Sequence, residues 1–246
     1  VKRQAADGSL GVSATQDAPH WPTGIAVLAW ALAPRYSPYS AATHPFREPI
    51  VNALKWIFSL KGKPAPQSPE LGHDTTLVGW PWVESTHTWL EPTALYLLAL
   101  KATGQHAHTR AREAVKVLLD RQIPCGGCNY GNTFVLGQEL RPHVEPSGLA
   151  LWALGNVPDP TGKLAKSIDF VVRQTSAETS TVSLAYALFG LATQQRFPAQ
   201  AQEWLAQALA RSEKRERSAY RLALVALAAL GEKCPMIQLA QEESAS

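Results

Sequence analysis

The chain has 246 residues and a formal net charge of +3, with its Lys and Arg spread along it apart from a short patch at 211–217. This argues against a nucleic-acid partner. Hydrophobic residues make up 46% and charged residues 17%, which excludes a disordered chain, and the longest apolar runs are too short to span a bilayer. Three cysteines suggest no disulfide framework, and with no basic-plus-apolar leader at the start the expected compartment is reducing and cytoplasmic.

The chain opens at Val1, and Arg3-Gln4-Ala5-Ala6-Asp7-Gly8-Ser9 already reads as the middle of a repeat. A valine start codon, a fragment and a processed product all fit that opening. An almost wholly apolar helix is predicted at 22–33 after Trp21-Pro22-Thr23-Gly24, and an amphipathic one at 49–60. Glu91-Pro92-Thr93-Ala94 then opens an apolar run, Leu95 to Leu100, in a helix expected at 92–102. Proline in a first helical turn costs no hydrogen bond, and a nearby carboxylate complements the helix dipole. An amphipathic helix is predicted at 109–121, with Ala114, Val117, Leu118 and Arg121 on one face and Arg110, Glu113, Lys116 and Asp120 on the other.

Glu145-Pro146-Ser147-Gly148 repeats the helix start, followed by Leu149 to Leu154 in nearly the same spelling. Weaker copies stand at Glu178-Thr179-Ser180-Thr181 and Glu216-Arg217-Ser218-Ala219. Apolar helices are therefore expected at 146–154, 179–192 and 217–230, and amphipathic ones at 164–174 and 200–210. Helices apolar all round are buried and amphipathic ones half-exposed, so the repeat predicts an all-α protein of helical hairpins in two layers. The longer intervals carry polar, Pro- and Gly-rich insertions at 34–45, 61–79 and 129–142. The repeat domain is expected over 1–237, with a disordered tail at 238–246.

A second phrase follows the amphipathic helices: Gln122-Ile123-Pro124-Cys125-Gly126-Gly127-Cys128, the earlier Gln4 to Leu10, and an interrupted copy at Lys61-Gly62 and Gly79-Trp80-Pro81-Trp82. It resembles the QW repeat of the terpene cyclase and protein prenyltransferase superfamily, and with the helix starts the resemblance covers nearly the whole chain. The resemblance implies an α/α toroid with an apolar central cavity. With five apolar and four amphipathic helices, the ring is expected to be incomplete or open.

The resemblance also implies roles. Aligned on the Thr-Ala of the cyclase acid motif, Glu91 stands at the proton-donating position, with Trp89 and Pro92 at the two supporting carboxylates. Pro142-His143-Val144-Glu145-Pro146-Ser147 resembles the prenyltransferase segment whose histidine binds diphosphate, which gives that role to His143. The candidate catalytic residues are thus Glu91 and Glu145. The recurrence of glutamate with the repeat equally fits helix-start electrostatics. The candidate ligand-binding residues are Trp80, Trp82, Glu84 and Trp89, together with the His143 that the resemblance implies. Trp80, Trp82, Trp89 and His87 crowd one junction, where rings can hold a prenyl chain or a cation, and packing between helices is the other reading of the tryptophans. Cys125 and Cys128 have the spacing of a metal knuckle but lack a second pair, so no metal and no cofactor are expected. The function expected is a cavity for an isoprenoid-like apolar small molecule; the alternative is a non-catalytic helical-repeat scaffold or accessory protein with a protein partner.

Overall fold

A computed structural model describes residues 2–13, 15–36, 44–215 and 218–241. The protein is all-α. The only β-structure among the described residues, apart from isolated bridges, is a two-stranded hairpin, β1 (Phe134–Val135) and β2 (Gln138–Glu139), inside the 129–142 insertion. Its turn places Leu136 and Gly137 at positive φ, the backbone of a tight two-residue hairpin. No described helix is long and apolar enough to cross a membrane. The insertion at 34–45 lies mostly outside the described residues.

The chain divides into two compact units, one of Val1–Ser68 and Asp74–Val117, the other of Pro69–His73 and Leu118–Ser246. The first contains α1 (Pro22–Leu32), α2 (Arg47–Ser59), α3 (Leu90–Ala102) and most of α4 (Thr109–Asp120). α3 is buried on every side from Pro92 to Lys101, as its unbroken apolar run requires. α1 packs on it through Gly24, where an added Cβ would sit 3.0 Å from the Tyr96 ring. The Trp56 and Trp80 rings flank Tyr96 at 6.2 and 5.5 Å. Burial pushes the Tyr96 hydroxyl far above its usual range, with the Glu84 charge adding to it.

The second unit contains α5 (Val144–Ala153), α6 (Lys163–Gln174), α7 (Thr181–Thr193), α8 (Ala201–Arg215), α9 (Ala219–Ala229) and α10 (Pro235–Gln241). α5 and α7 touch backbone to backbone. A Cβ on Gly148 would lie 2.5 Å from the Ala187 nitrogen, and one on Gly190 would lie 2.4 Å from the Gly148 carbonyl oxygen. Leu164, Ser167 and Val171 form the buried stripe of α6, and Ala201, Leu205, Ala208 and Ser212 that of α8.

Four readings of the sequence need correction. α3 and α5 begin at Leu90 and Val144, earlier than their prolines; Pro92 and Pro146 fit there because the first four N–H groups of a helix have no intrahelical partner. α9 is not buried all round: Leu224, Val225 and Ala228 face inward while Tyr220 and Leu230 are exposed. Arg110, placed on the solvent face by its charge, is only 5% exposed. α10 was not anticipated; it runs past residue 237 to Gln241, and the rest of the expected tail lies outside the described residues.

Candidate functional site

The QW-like phrase and the helix starts meet in one joint, made three times. In the first unit the Thr23 hydroxyl accepts the Leu10 N–H at 2.9 Å and donates to the His20 carbonyl at 2.7 Å. The Thr93 hydroxyl accepts the Trp80 N–H at 3.0 Å and donates to the Trp89 carbonyl at 2.6 Å. In the second unit Ser147 accepts the Cys128 N–H at 2.8 Å and donates to the His143 carbonyl at 2.5 Å. Thr23, Thr93 and Ser147 are all fully buried. Each hydroxyl therefore satisfies a loop N–H that would otherwise be left without a partner. In the last two joints the backbones also pair directly, with Trp89 N–H on the Trp80 carbonyl at 3.1 Å and His143 N–H on the Cys128 carbonyl at 2.9 Å.

In the first unit this joint fixes the aromatic cluster. Trp80 is fully buried, its indole N–H donates to the Ile57 carbonyl at 2.9 Å, and the Arg110 guanidinium lies 4.0 Å from its ring centroid. Arg110 also donates to the Leu60, Val78 and Gly79 carbonyls at 3.0–3.2 Å and to Glu113 at 2.7 Å. These contacts make Trp80 a packing residue. Trp82 is half-buried, edge-on to Trp21 at 5.6 Å. With Pro19, His20, Trp56, Val83 and Glu84 it lines a pocket of about 140 Å³. The Glu84 carboxylate, mostly exposed, stands 4.0 Å from His20 Nδ1. Trp89 is half-buried beside the His87 ring at 4.7 Å, and Glu91 sits half-buried in the first turn of α3.

In the second unit His143 immediately precedes α5 and Glu145 lies in its first turn. The exposed His143 ring lies 5.2 Å from that of Tyr130. Glu145 accepts the Ser183 hydroxyl at 3.1 Å, and Ser183 in turn accepts from Ser180 at 2.8 Å. These residues, with Gln174, Ser176, Glu178 and Thr179, surround an open pocket of about 400 Å³. Sequence reasoning missed Ser183, whose contact with Glu145 spans two helices.

The recurrence of glutamate is narrower than the spelling indicates. Glu91 and Glu145 both sit in a first helical turn, but Glu178 is exposed ahead of α7 and Glu216 lies outside the described residues. The N-cap of α7 is Ser180 and that of α9 is Ser218, each accepting the N–H three residues on. Asp74 accepts the N–H and the hydroxyl of Thr76 at 2.9 and 2.6 Å, as a turn residue does.

Cys125 is exposed; Cys128 is fully buried where the repeat phrase has tryptophan, and burial pushes its thiol well up. No group of three or more His, Cys, Asp or Glu among the described residues is placed to hold a metal. Compared with protein-family models and with curated proteins, the sequence matches none of them.

Proposed function

We propose that the chain is an α/α toroid, open or incomplete, of the terpene cyclase and prenyltransferase type, and that it binds an isoprenoid-like apolar molecule at the starts of its apolar helices. The observation that carries the architecture is the hydroxyl joint, repeated at Thr23, Thr93 and Ser147 with the same donors and acceptors. One joint three times over is the mark of a repeat array rather than of a single fold with similar words in it. The ligand reading rests on polar groups gathered over apolar helix bodies, the usual make-up of a small-molecule site. His143, Tyr130 and Glu145 would meet the polar head in the second unit. Trp82, Glu84 and Trp89 are the corresponding groups of the first unit. Glu91 and Glu145 are the candidate acids if the ligand is turned over in the cytoplasm.

The test is native mass spectrometry of the purified protein, with organic extraction of what it carries. A co-purified prenyl compound or similar lipid is the expected result. In the extracted protein, refilling with that compound should weaken in Glu145→Gln with His143→Ala, at unchanged circular dichroism. Protein that carries no lipid and takes up no prenyl alcohol would sink the reading.

The close packing of α5 on α7 at Gly148 and Gly190 favours a second reading, a non-catalytic scaffold. There the small residues serve helix contact and leave no room for a ligand. Pull-down of a stoichiometric protein partner by lipid-free protein would support it.

A further inference from the structure

The α7 and α9 starts carry a further cavity, which adjoins the pocket beside Glu145 and shares Glu178 and Ser180 with it. It encloses about 360 Å³ and is lined by Glu178, Ser180, Thr181, Val182, Arg211, Ser212 and Arg221. Among the described residues that line it, two are arginines and one is a glutamate. Arg211, on α8, is held in place by a hydrogen bond from its Nη2 to the Thr179 carbonyl at 3.0 Å. Arg221, in the first turn of α9, makes no side-chain hydrogen bond or ion pair with the described residues. Glu178 pairs with neither arginine among those residues.

The hydroxyls add a donor. Thr181 Oγ1 and Ser212 Oγ lie 2.9 Å apart, and Ser212 is 5% exposed. The pair holds two hydroxyl protons and makes one hydrogen bond, so one proton is left over. No described residue accepts it. At the rim, the Ser180 cap takes the Ser183 N–H, and the first-turn N–H groups of Thr181 and Val182 have no partner among the described residues.

We propose that this cavity binds an oxyanion, a phosphate group held by Arg211 and Arg221 and by the Thr181–Ser212 hydroxyl pair. Guanidinium forks and hydroxyls are the groups that recognise phosphate oxygens, and the start of a helix adds its N–H groups. The inference needs only the second unit and does not depend on the toroid or its isoprenoid ligand. The phosphate has two sources: a free small molecule or a phospholipid headgroup.

Isothermal titration with inorganic phosphate, at constant ionic strength against chloride, is the first arm. Co-sedimentation with phosphatidylcholine vesicles with and without phosphatidic acid is the second. The chosen variant is Arg221→Gln, because its guanidinium carries no structural bond and the fold is expected to survive. Thr181→Val is the second variant, in case the first disturbs α9. Phosphate binding weakened about tenfold or more by Arg221→Gln is expected, as for one lost charge-assisted hydrogen bond. Binding to phosphatidic acid vesicles alone, lost in the same variants, assigns the phosphate to a lipid. No binding in either arm, or binding that both folded variants keep in full, overturns the site.

Discussion

The starts of α3 and α5 differ from those of α7 and α9 in how they satisfy their backbone. In the first pair a buried hydroxyl in the first turn, Thr93 or Ser147, reaches out to a loop that precedes the helix. In the second pair a serine at the cap, Ser180 or Ser218, reaches back into its own helix. The spelling of the four starts is similar, yet the serine sits one helical turn earlier in the second pair. The cause is the length of chain in front. Long insertions precede α3 and α5 and bring a strand-like segment, Trp80 or Cys128, against the helix start. Short connections precede α7 and α9, so those helices cap themselves, and Thr181 and Arg221 of their first turns line a cavity. A stitched start spends its hydroxyl on a neighbouring loop; a self-capped start spends its serine on its own first turn.

The sharpest way to break the contrast is to cut a stitched start from its support. Arg110→Met removes the donors of the Leu60, Val78 and Gly79 carbonyls, and should cost about 4 kcal/mol in urea unfolding. Gly148→Ala drives a methyl group into the α7 backbone and is expected to cost about 3 kcal/mol by overpacking, read as a lower thermal midpoint. Ser147→Ala strands the buried Cys128 N–H, worth about 2 kcal/mol. Ser180→Ala loses only a cap, worth about 1 kcal/mol. Equal losses at Ser147 and Ser180 would erase the distinction between the two kinds of start.

The smallest expected effect is chemical. Cys125 is exposed, but its thiol is pushed up, first by partial desolvation and then by the hydrogen bond and charge of Glu139. A raised thiol has less thiolate at neutral pH, so Cys125 should alkylate more slowly than free cysteine, the gap closing once pH exceeds its raised value. Cys128 and Cys234, both buried, should react only on unfolding. Mass spectrometry of alkylated peptides checks both statements.

Most of the helix pattern was legible because it depends on local composition. The runs at Leu95 to Leu100 and Leu149 to Leu154 read as buried helices because each follows a Glu-Pro helix start and is paired with an amphipathic segment. The start of α7 was misjudged because Ser180 and Ser147 look alike in sequence, and only the presence of a docking loop decides which hydroxyl is a cap. Arg110 was misplaced for a related reason. Charge alone put it in water, while three carbonyls of a folded-back loop, invisible in a linear reading, draw it inside. Of the pocket at Arg211 and Arg221, the sequence showed only Arg211, as part of the basic patch at 211–217; the pocket forms where the starts of α7 and α9 meet the end of α8.

The hydroxyl joint also bears on which substitutions the chain tolerates. It uses the backbone of the loop residue, so the side chain at that point is under no obligation to it: leucine at 10, tryptophan at 80 and cysteine at 128 occupy one mechanical role. The side chain at the loop position can therefore change while the seam still holds, and the small hydroxyl residue facing the loop is the part of the joint that recurs.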